Sequence, residues 1–351
     1  MTILSVAYPF ARVAPDTPGG AEQILLLLDR KLARDGHRSL VAARQDSQVT
    51  GTLIPMPSDD GPIDASCQTR VRAGCALALR ELVARERIDV IHMHGIDFHS
   101  YLPPEGPPVL VTLHLPLAWY DWQALRPSRT NTHFVCVSES QHKDAAGLPN
   151  LHSPIENGID VEAYSVDRAK GRFALMLSRI CPEKGIHLAL SAAKQAGIPL
   201  VLAGCAFAYE EHRRYFDLEI RPHLGRWLRC IGPVGPARKR ALLACARCVL
   251  IASTVPETSS LAAREAMAAG TPVIAFSRGA LPGIIENGRT GFLVSTVEEM
   301  ADAIGRAEEI DPECCRAWAR RCFSGEQMFG AYLKVYAALA KLGGGRIAFA
   351  A

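Results

Sequence analysis

Two carboxylates, Glu257 and Glu265, are separated by seven residues in the segment Ser253 to Gly270. The segment follows an apolar run, turns through a polar loop and then reads as a helix that stops at Gly270. The start of that helix, near Ser259 to Leu261, presents backbone N–H groups without intrahelical partners and the positive end of the dipole, which suits a phosphate. Ser259 and Ser260 can add hydroxyl donors. Glu257 falls in the loop. Glu265 lies about one turn inside the helix, roughly 6 Å beyond Leu261, where a carboxylate can accept two hydroxyl hydrogen bonds from a ribose. The same residues also fit a plainer reading, in which Thr258 or Ser259 caps the helix and Glu257 is solvated.

Two further segments carry candidate chemistry. Arg179 and Lys184 flank the loop Leu177 to Gly185. Two cations at a strand end can neutralise a diphosphate, although such residues are also common on a solvated surface. Pro18-Gly19-Gly20-Ala21-Glu22 opens a helix after the first strand. Adjacent glycines let a ligand approach the backbone amides, and a plain turn fits equally. The segment is not G-x-G-x-x-G and lacks the acidic residue of a nicotinamide site.

Positioning these loops requires strands that alternate with helices. In the first half, strands are expected at Thr2–Ala7, Ser39–Ala43, Asp89–Met93, Val109–Leu113 and Thr132–Val137. Helices are expected there at Ala21–Asp35, Cys67–Arg87 and Glu139–Ala146. The pattern resets near Asn157–Tyr164, a polar stretch containing Asn-Gly. Strands then follow at Arg172–Ser178, Pro199–Ala203, Trp227–Ile231, Val249–Ser253 and Pro272–Ala275. The intervening helices are Lys184–Gln195, Phe207–Pro222, Pro236–Cys245, Ser260–Ala269 and Ala280–Glu286. Near-continuous apolar strands between helices imply parallel sheets covered on both faces. The expected architecture is α/β, two doubly wound Rossmann-like domains facing across a cleft, with ligands at the carboxyl ends of the strands. Asp311 to Leu342 reads as helical, and the Gly- and Ala-rich tail 343–351 is expected to fray.

Composition agrees with two domains. The chain has 351 residues, 48% hydrophobic and 21% charged, which excludes a long disordered or collagenous protein. Lys plus Arg is 39 against 36 Asp plus Glu, so the net charge of +3 does not point to nucleic acid as a partner. The 11 cysteines are scattered and read as buried thiols of a reducing compartment. Cys245 and Cys248 have the spacing of a metal or redox pair, but no second pair or His has a matching spacing, so no metal is expected. Met1 to Phe10 lacks a basic n-region, and no apolar run approaches the roughly 18 residues of a spanning helix. A cytoplasmic protein is expected. The clusters Arg213, Arg214, Arg221, Arg226, Arg229 and Arg70, Arg72, Arg80, Arg85, Arg87 are compatible with peripheral contact at the inner membrane face, or with solvated faces carrying interleaved acids.

Taken together and in order, the motifs resemble retaining glycosyltransferases of family 4, which have the GT-B fold and an E-x7-E signature formed here by Glu257 and Glu265. Ser178-Arg179 through Lys184-Gly185 resembles that family's phosphate site. Ala269 to Ala275 and Glu286 to Val294 resemble its C-terminal landmarks. Ser138-Glu139-Ser140 and Asn157-Gly158-Ile159-Asp160 resemble its domain junction, and Gly19-Gly20-Ala21-Glu22 its N-terminal glycine loop. The resemblance runs from Ile3 to about Tyr336.

It implies a donor-binding domain over 159–325 and an acceptor-side domain over 1–158, onto which helices at about 326–342 cross back. It also implies roles. Glu257 would contact hydroxyls of the donor sugar, beside Thr258. Ser259, Ser260 and Leu261 amides would hold the diphosphate with Arg179 and Lys184, Glu265 would bind the ribose, and Ile231-Gly232-Pro233-Val234 would lie against the base. Gly19 and Gly20 would approach the phosphate. His114 matches a histidine at the end of an N-domain strand near the attacked carbon, although alone it would read as structural. Ser259-Ser260 stand where the family often has Phe-Gly, which removes bulk and adds hydroxyls beside the donor. Ser178 replaces a usual Gly, and Gly283 stands where an acidic residue is common.

The implied reaction is retaining transfer of a hexosyl group from a nucleotide-diphosphate sugar, UDP favoured over GDP, to an acceptor hydroxyl in glycan, glycolipid or natural-product synthesis. No metal cofactor is required, because Arg179, Lys184 and the helix N-terminus stabilise the departing diphosphate. Asp59-Asp60 reads as a turn rather than a metal motif. Trp119, Tyr120 and Trp122, in one of the loops 95–108 and 116–130, could stack on an acceptor or form the core of their loop. An epimerase or phosphorylase on the same fold, or a non-catalytic nucleotide-sugar-binding subunit, are the competing readings. The oligomeric state is not legible.

Overall fold

The computed structural model describes residues 1–166 and 168–344. The chain divides into two compact units, Met1–Asn157 with the stretch from Glu326 onward, and Gly158–Gly325.

The first unit contains β1 (Thr2–Val6), α1 (Gly20–Arg34), β2 (Arg38–Arg44), β3 (Thr52–Met56), α2 (Ala65–Arg85), β4 (Val90–Met93), β5 (Val109–Leu113), β6 (Thr132–Cys136) and α3 (Glu139–Asp144). Its strands form one parallel sheet in the order β3-β2-β1-β4-β5-β6. β4 and β5 are buried along their whole length, the signature of strands covered on both faces. β3 falls outside the expected strands. It is an edge strand, TLIPM, with a partly exposed face and Pro55 inside it, and proline is tolerated only where one ladder is unpaired. α2 starts two residues earlier than expected because the Asp64 side chain accepts the Cys67 N–H at 2.8 Å.

The second unit contains β7 (Ala174–Leu177), α4 (Ile186–Gln195), β8 (Leu200–Ala203), α5 (Glu210–Tyr215), β9 (Leu228–Cys230), α6 (Pro236–Cys245), β10 (Cys248–Ile251), α7 (Leu261–Ala268), β11 (Val273–Phe276), α8 (Leu281–Ile284), β12 (Gly291–Val294), α9 (Val297–Gly305) and α10 (Pro312–Cys322). Its parallel sheet has the order β12-β11-β10-β7-β8-β9. The single helix expected over Phe207–Pro222 is divided. α5 passes into a π-helical turn at Phe216–Ile220 and a 3-10 turn at Arg221–His223, where Pro222 has no N–H with which to continue an α-helix. β12 and α9 lie in a stretch where no element was expected.

Asp311 to Leu342 is not one helix. It breaks after Cys322, and α11 (Gly325–Gly344) follows. The cause is a backbone bridge: Ile159 N–H donates to Phe323 O at 2.9 Å, and Gly325 N–H donates to Ile159 O at 2.9 Å. A side chain at Gly158 would stand 2.6 Å from Gly325 Cα, so this close approach requires glycine. From Glu326 the helix belongs to the first unit. Glu326 pairs with Lys31 and Arg34 on α1, and Tyr332 and Tyr336 are buried against that unit's sheet. Of the tail expected to fray, 343–344 complete α11 and 345–351 lie outside the described residues.

Both sheets have the same connectivity. The first three strands run outward in one direction and the fourth returns to the other side of the first. The crevice at the carboxyl ends of the first and fourth strands is the topological switch point, where open α/β sheets place their ligands.

Candidate active site

In the second unit the switch point lies between β7 and β10. The loop after β7 carries Arg179 and Lys184, and the loop after β10 carries Glu257. The structure brings them together. Lys184 Nζ donates to Glu257 Oε1 at 2.6 Å, and Ser253 Oγ donates to the same oxygen. Burial alone would raise the Glu257 pKa. The Lys184 charge and hydrogen bond, Ser253 and the Arg179 charge outweigh it, and the carboxyl titrates below its usual range. Glu257 is therefore a paired, ionised carboxylate and not a solvated one.

Its backbone is held as firmly. Ala280 N–H donates to Glu257 O at 2.7 Å, and Thr254 N–H donates to Glu183 O at 2.8 Å. Gly279, at φ +60°, passes so close that a Cβ there would stand 2.2 Å from Glu257 O. Gly185, at φ +59°, approaches Ala252 O in the same way, with a Cβ distance of 2.0 Å. Both loops are thus locked against the ends of their strands. The Arg179 guanidinium lies 5.4 Å from the Phe207 ring centroid.

α7 begins at Leu261 and its cap is Ser260, whose Oγ accepts the Ala263 N–H at 3.4 Å. Neither Thr258 nor Ser259 is the cap. Ser259 Oγ is buried with no hydrogen-bond partner in the protein, beside the helix start. Glu265 is buried inside α7, and its Oε1 accepts from both Tyr164 Oη and Lys239 Nζ at 2.6 Å. A carboxylate has about four lone-pair sites, so these two bonds orient Glu265 and leave capacity for hydroxyl donors. Gly232, at φ +71°, and Val234 lie in the loop after β9, tied to the sheet by Gly204 N–H donating to Gly232 O at 2.9 Å.

In the first unit the switch point lies between β1 and β4. Gly19 is the residue before α1, and Gly20 its exposed first residue. A Cβ at Gly19 would stand 1.8 Å from Glu22 Oε2, so the glycine makes room for a buried carboxylate folded over the helix start. His114 follows β5 directly and is buried. Its Nε2 lies 3.0 Å from His94 Nδ1, with the two rings stacked. Burial pushes the His114 pKa down to about 3, so it acts as a neutral imidazole at ordinary pH. A second, separate hydrogen-bonded chain lies beside it, with the His92 ring 4.0 Å from that of His94: Tyr336 Oη to His92 Nδ1 at 2.7 Å, His92 Nε2 to Thr112 Oγ1 at 2.7 Å, and Thr112 Oγ1 to Tyr332 Oη at 3.0 Å. The loop bearing His114 is clamped by buried Gln141, whose Nε2 donates to Leu113 O at 2.8 Å and to Leu115 O at 2.9 Å. Tyr120 is core of its own loop, whereas Trp119 and Trp122 are exposed.

Sequence reasoning missed Ser253, Tyr164, Lys239, His94 and Gln141 as parts of these sites. His92-Met93-His94 did carry a signal, two histidines at strand period on one face. Tyr164, Lys239 and Gln141 meet their partners across long sequence separations and had none, whereas Ser253 lies only four positions before Glu257 in the same segment. Of the arginine clusters, Arg70, Arg72 and Arg221 are paired with Asp59, Asp97 and Asp217. Among the described residues, no helix is long and apolar enough to cross a membrane.

Known proteins are similar to this chain in sequence and in fold. Residues 18–163 match the family model Glycosyltransferase Family 4, and residues 163–321 match Glycosyl transferases group 1. A phosphatidyl-myo-inositol mannosyltransferase of Mycobacterium tuberculosis is 27% identical over 324 residues, covering 80% of this chain and 79% of that one. The crystal structure of Anabaena HepE in complex with UDP and glucose has a TM-score of 0.75 at 20% identity, covering 96% of this chain and 100% of that one. The sucrose-phosphate synthase of Thermosynechococcus elongatus has a TM-score of 0.77 at 19% identity, covering 97% and 99%. The paired switch-point residues therefore sit on a GT-B fold, and the chain belongs to the family 4-type glycosyltransferases.

Proposed function

We propose that the chain transfers a hexosyl group from a nucleotide-diphosphate sugar to an acceptor hydroxyl, with retention at the anomeric carbon. The observation that carries the reading is the half-buried Lys184–Glu257 pair at the β7/β10 switch point, next to the N-terminus of α7. In this reading Lys184, which has three donors, holds Glu257 and the departing diphosphate together. Arg179 and the first amides of α7 complete the anion site. Glu257 orients the donor sugar through its hydroxyls, Glu265 receives the ribose, and the loop at Gly232 and Val234 receives the base. These cations supply the charge stabilisation, so transfer is proposed to run without a metal. Neutral His114 accepts or donates a hydrogen bond near the reacting carbon, and the acceptor attacks from the face the diphosphate leaves.

Mannose or glucose is the proposed sugar, carried by UDP or GDP, and a polar lipid is the proposed acceptor. The name of the mycobacterial relative supports mannosyl transfer to a phosphoinositide, and the HepE complex supports a uridine donor.

The test is an assay of nucleotide-diphosphate release from UDP- and GDP-linked mannose and glucose, with and without lipid acceptors. Release that requires acceptor, with an α-linked product from an α-linked donor by NMR, is expected. Isomerised donor without acceptor would indicate an epimerase, and dependence on free phosphate a phosphorylase. Binding without turnover would indicate a non-catalytic subunit. Each of these results overturns the reading.

A further inference from the structure

One cluster in the second unit takes no part in the chemistry described above. Cys181 Sγ, a carboxylate oxygen of Glu183 and a ring nitrogen of His212 all lie within 4.8 Å of one another. Cys181 and Glu183 belong to the loop after β7, and His212 to α5. Cys181 is 1% exposed and His212 7% exposed. Glu183 Oε2 and His212 Nδ1 are both buried without a hydrogen-bond partner in the protein. Cys181 Sγ has a long contact, 3.9 Å, to Arg179 O, and its thiol also faces the Glu183 carboxylate within hydrogen-bonding reach. Native proteins rarely leave two such atoms unmatched at one spot without a reason, and a missing ion is a recognised one.

We propose that Cys181, Glu183 and His212 bind a soft divalent cation of the Zn2+ class. Thiolate, imidazole and carboxylate are each first-choice ligands for that ion, and three protein ligands leave a fourth position for water. Bonds of about 2.0–2.3 Å in a tetrahedron set ligand separations of roughly 3.3–3.8 Å. The present spacing closes to that by a contraction of about an ångström, within the reach of side-chain rotation. The Arg179 charge acts on Cys181 and His212 and the Lys184 charge on Cys181; both repel a cation directly but favour the deprotonated, ligating forms of these groups, while the Glu183 carboxylate attracts a cation. The aromatic wall beside His212 is Phe207 and Tyr209, and Phe207 also faces Arg179. A bound ion would staple the loop that carries Arg179 and Lys184 to α5. Its role is to hold that loop, not to take part in transfer.

The sequence spacing pointed elsewhere, to Cys245 and Cys248, which gives a built-in control. The full chain, freed of metal by a chelator under reducing conditions, is titrated with Co2+ and read by absorption. Expected are tetrahedral visible bands and a thiolate-to-cobalt charge-transfer band that saturate at equimolar Co2+ and are displaced by Zn2+. Cys181→Ser should abolish the charge-transfer band, and Cys245→Ser should leave it intact. His212→Asn and Glu183→Gln, which keep shape, should weaken Co2+ binding by more than the ~10–100-fold that loss of an outer-shell partner costs. They serve as the reading if Cys181→Ser does not fold. A wild-type protein without the thiolate band, a band that survives Cys181→Ser, or unchanged affinity in His212→Asn and Glu183→Gln would overturn the proposal. The spectroscopic readout is independent of transfer, so either result leaves the reading of the donor site untouched.

Discussion

The two sheets share one strand connectivity yet carry opposite kinds of polar chemistry at equivalent places. In the second unit, the loops after the first and fourth strands bring a cation to a carboxylate, Lys184 on Glu257, in a half-buried setting. In the first unit, the loop after the first strand offers glycine, and the fourth and fifth strands end in His94 and His114, both neutral. Topology therefore supplies the place and not the chemistry. Charge is concentrated where an anionic diphosphate is proposed to bind. Uncharged hydrogen-bonding groups line the end where a neutral hydroxyl is proposed to react. The energetics differ accordingly. Removing one member of a fully buried charge pair strands the other and costs about 3–5 kcal/mol, an upper bound for this half-buried pair. A neutral hydrogen bond is worth about 1 kcal/mol.

The largest effect that could break this contrast is in the charged site. Lys184→Met should lower turnover by about 10²–10³-fold while the circular dichroism spectrum is kept. Glu257→Gln should do much the same, and the double variant should be little worse than either single one, because the pair acts as a unit. Simple multiplication of the two losses would show that they work separately.

Acid should separate the two units next. His92, His94 and His114 are held neutral by burial, with His114 at about 3, whereas an unfolded histidine titrates near 6.5. Below about pH 6.5 the unfolded chain binds protons that the folded chain refuses, so stability is full above that pH and falls toward pH 3. Each such histidine contributes a slope of up to ~1.4 kcal/mol per pH unit. Urea unfolding at a series of pH values should show the slope, and His94→Gln or His114→Gln should flatten it. Glu257 has a depressed pKa, so its contribution is present above the carboxylate range and is lost only as pH falls through its folded value, a lower window. A stability curve flat from pH 7 to 5 would contradict the neutral cluster.

Smaller effects sharpen the comparison. Tyr164→Phe removes one of the two bonds that orient Glu265, and the donor KM should rise about five- to tenfold, roughly 1 kcal/mol, with kcat nearly unchanged. A fall in kcat alone would place Glu265 in the chemical step instead. Last, Glu326→Gln disconnects the start of α11 from Lys31 and Arg34. Although those cations pull the Glu326 carboxyl down to about 2, the group is more than half exposed, and the loss of stability should be about 1 kcal/mol or less.

Much of the fold was legible because its signals are local. Apolar strands flanked by helices, with Gly270 ending α7, need only neighbouring residues to be recognised. Local signals also failed in definite ways. β3 carries Pro55 and a half-exposed face, so nothing in its own residues announces a strand until β2 offers an edge. The break between α10 and α11 has no helix-breaking proline and is imposed by Ile159 from far along the chain. At the site, Glu257 and Lys184 were each legible as functional residues. Their direct pairing was not, because they are 73 positions apart.

By itself the sequence determined the α/β class, the ordered family motifs and the spacing that puts Glu257 before α7 and Glu265 inside it. These follow from periodicity and short-range sterics. Only the tertiary structure decided which polar group meets which. Lys184 and Ser253 converge on Glu257, Tyr164 and Lys239 on Glu265, and His94 on His114. Cys181 finds Glu183 and His212, while the sequence-paired Cys245 and Cys248 stay outside that cluster. The physical reason is that ionisation, tautomer and metal affinity depend on burial and on partners within a few ångströms, and those are set when the sheets close up and not along the chain.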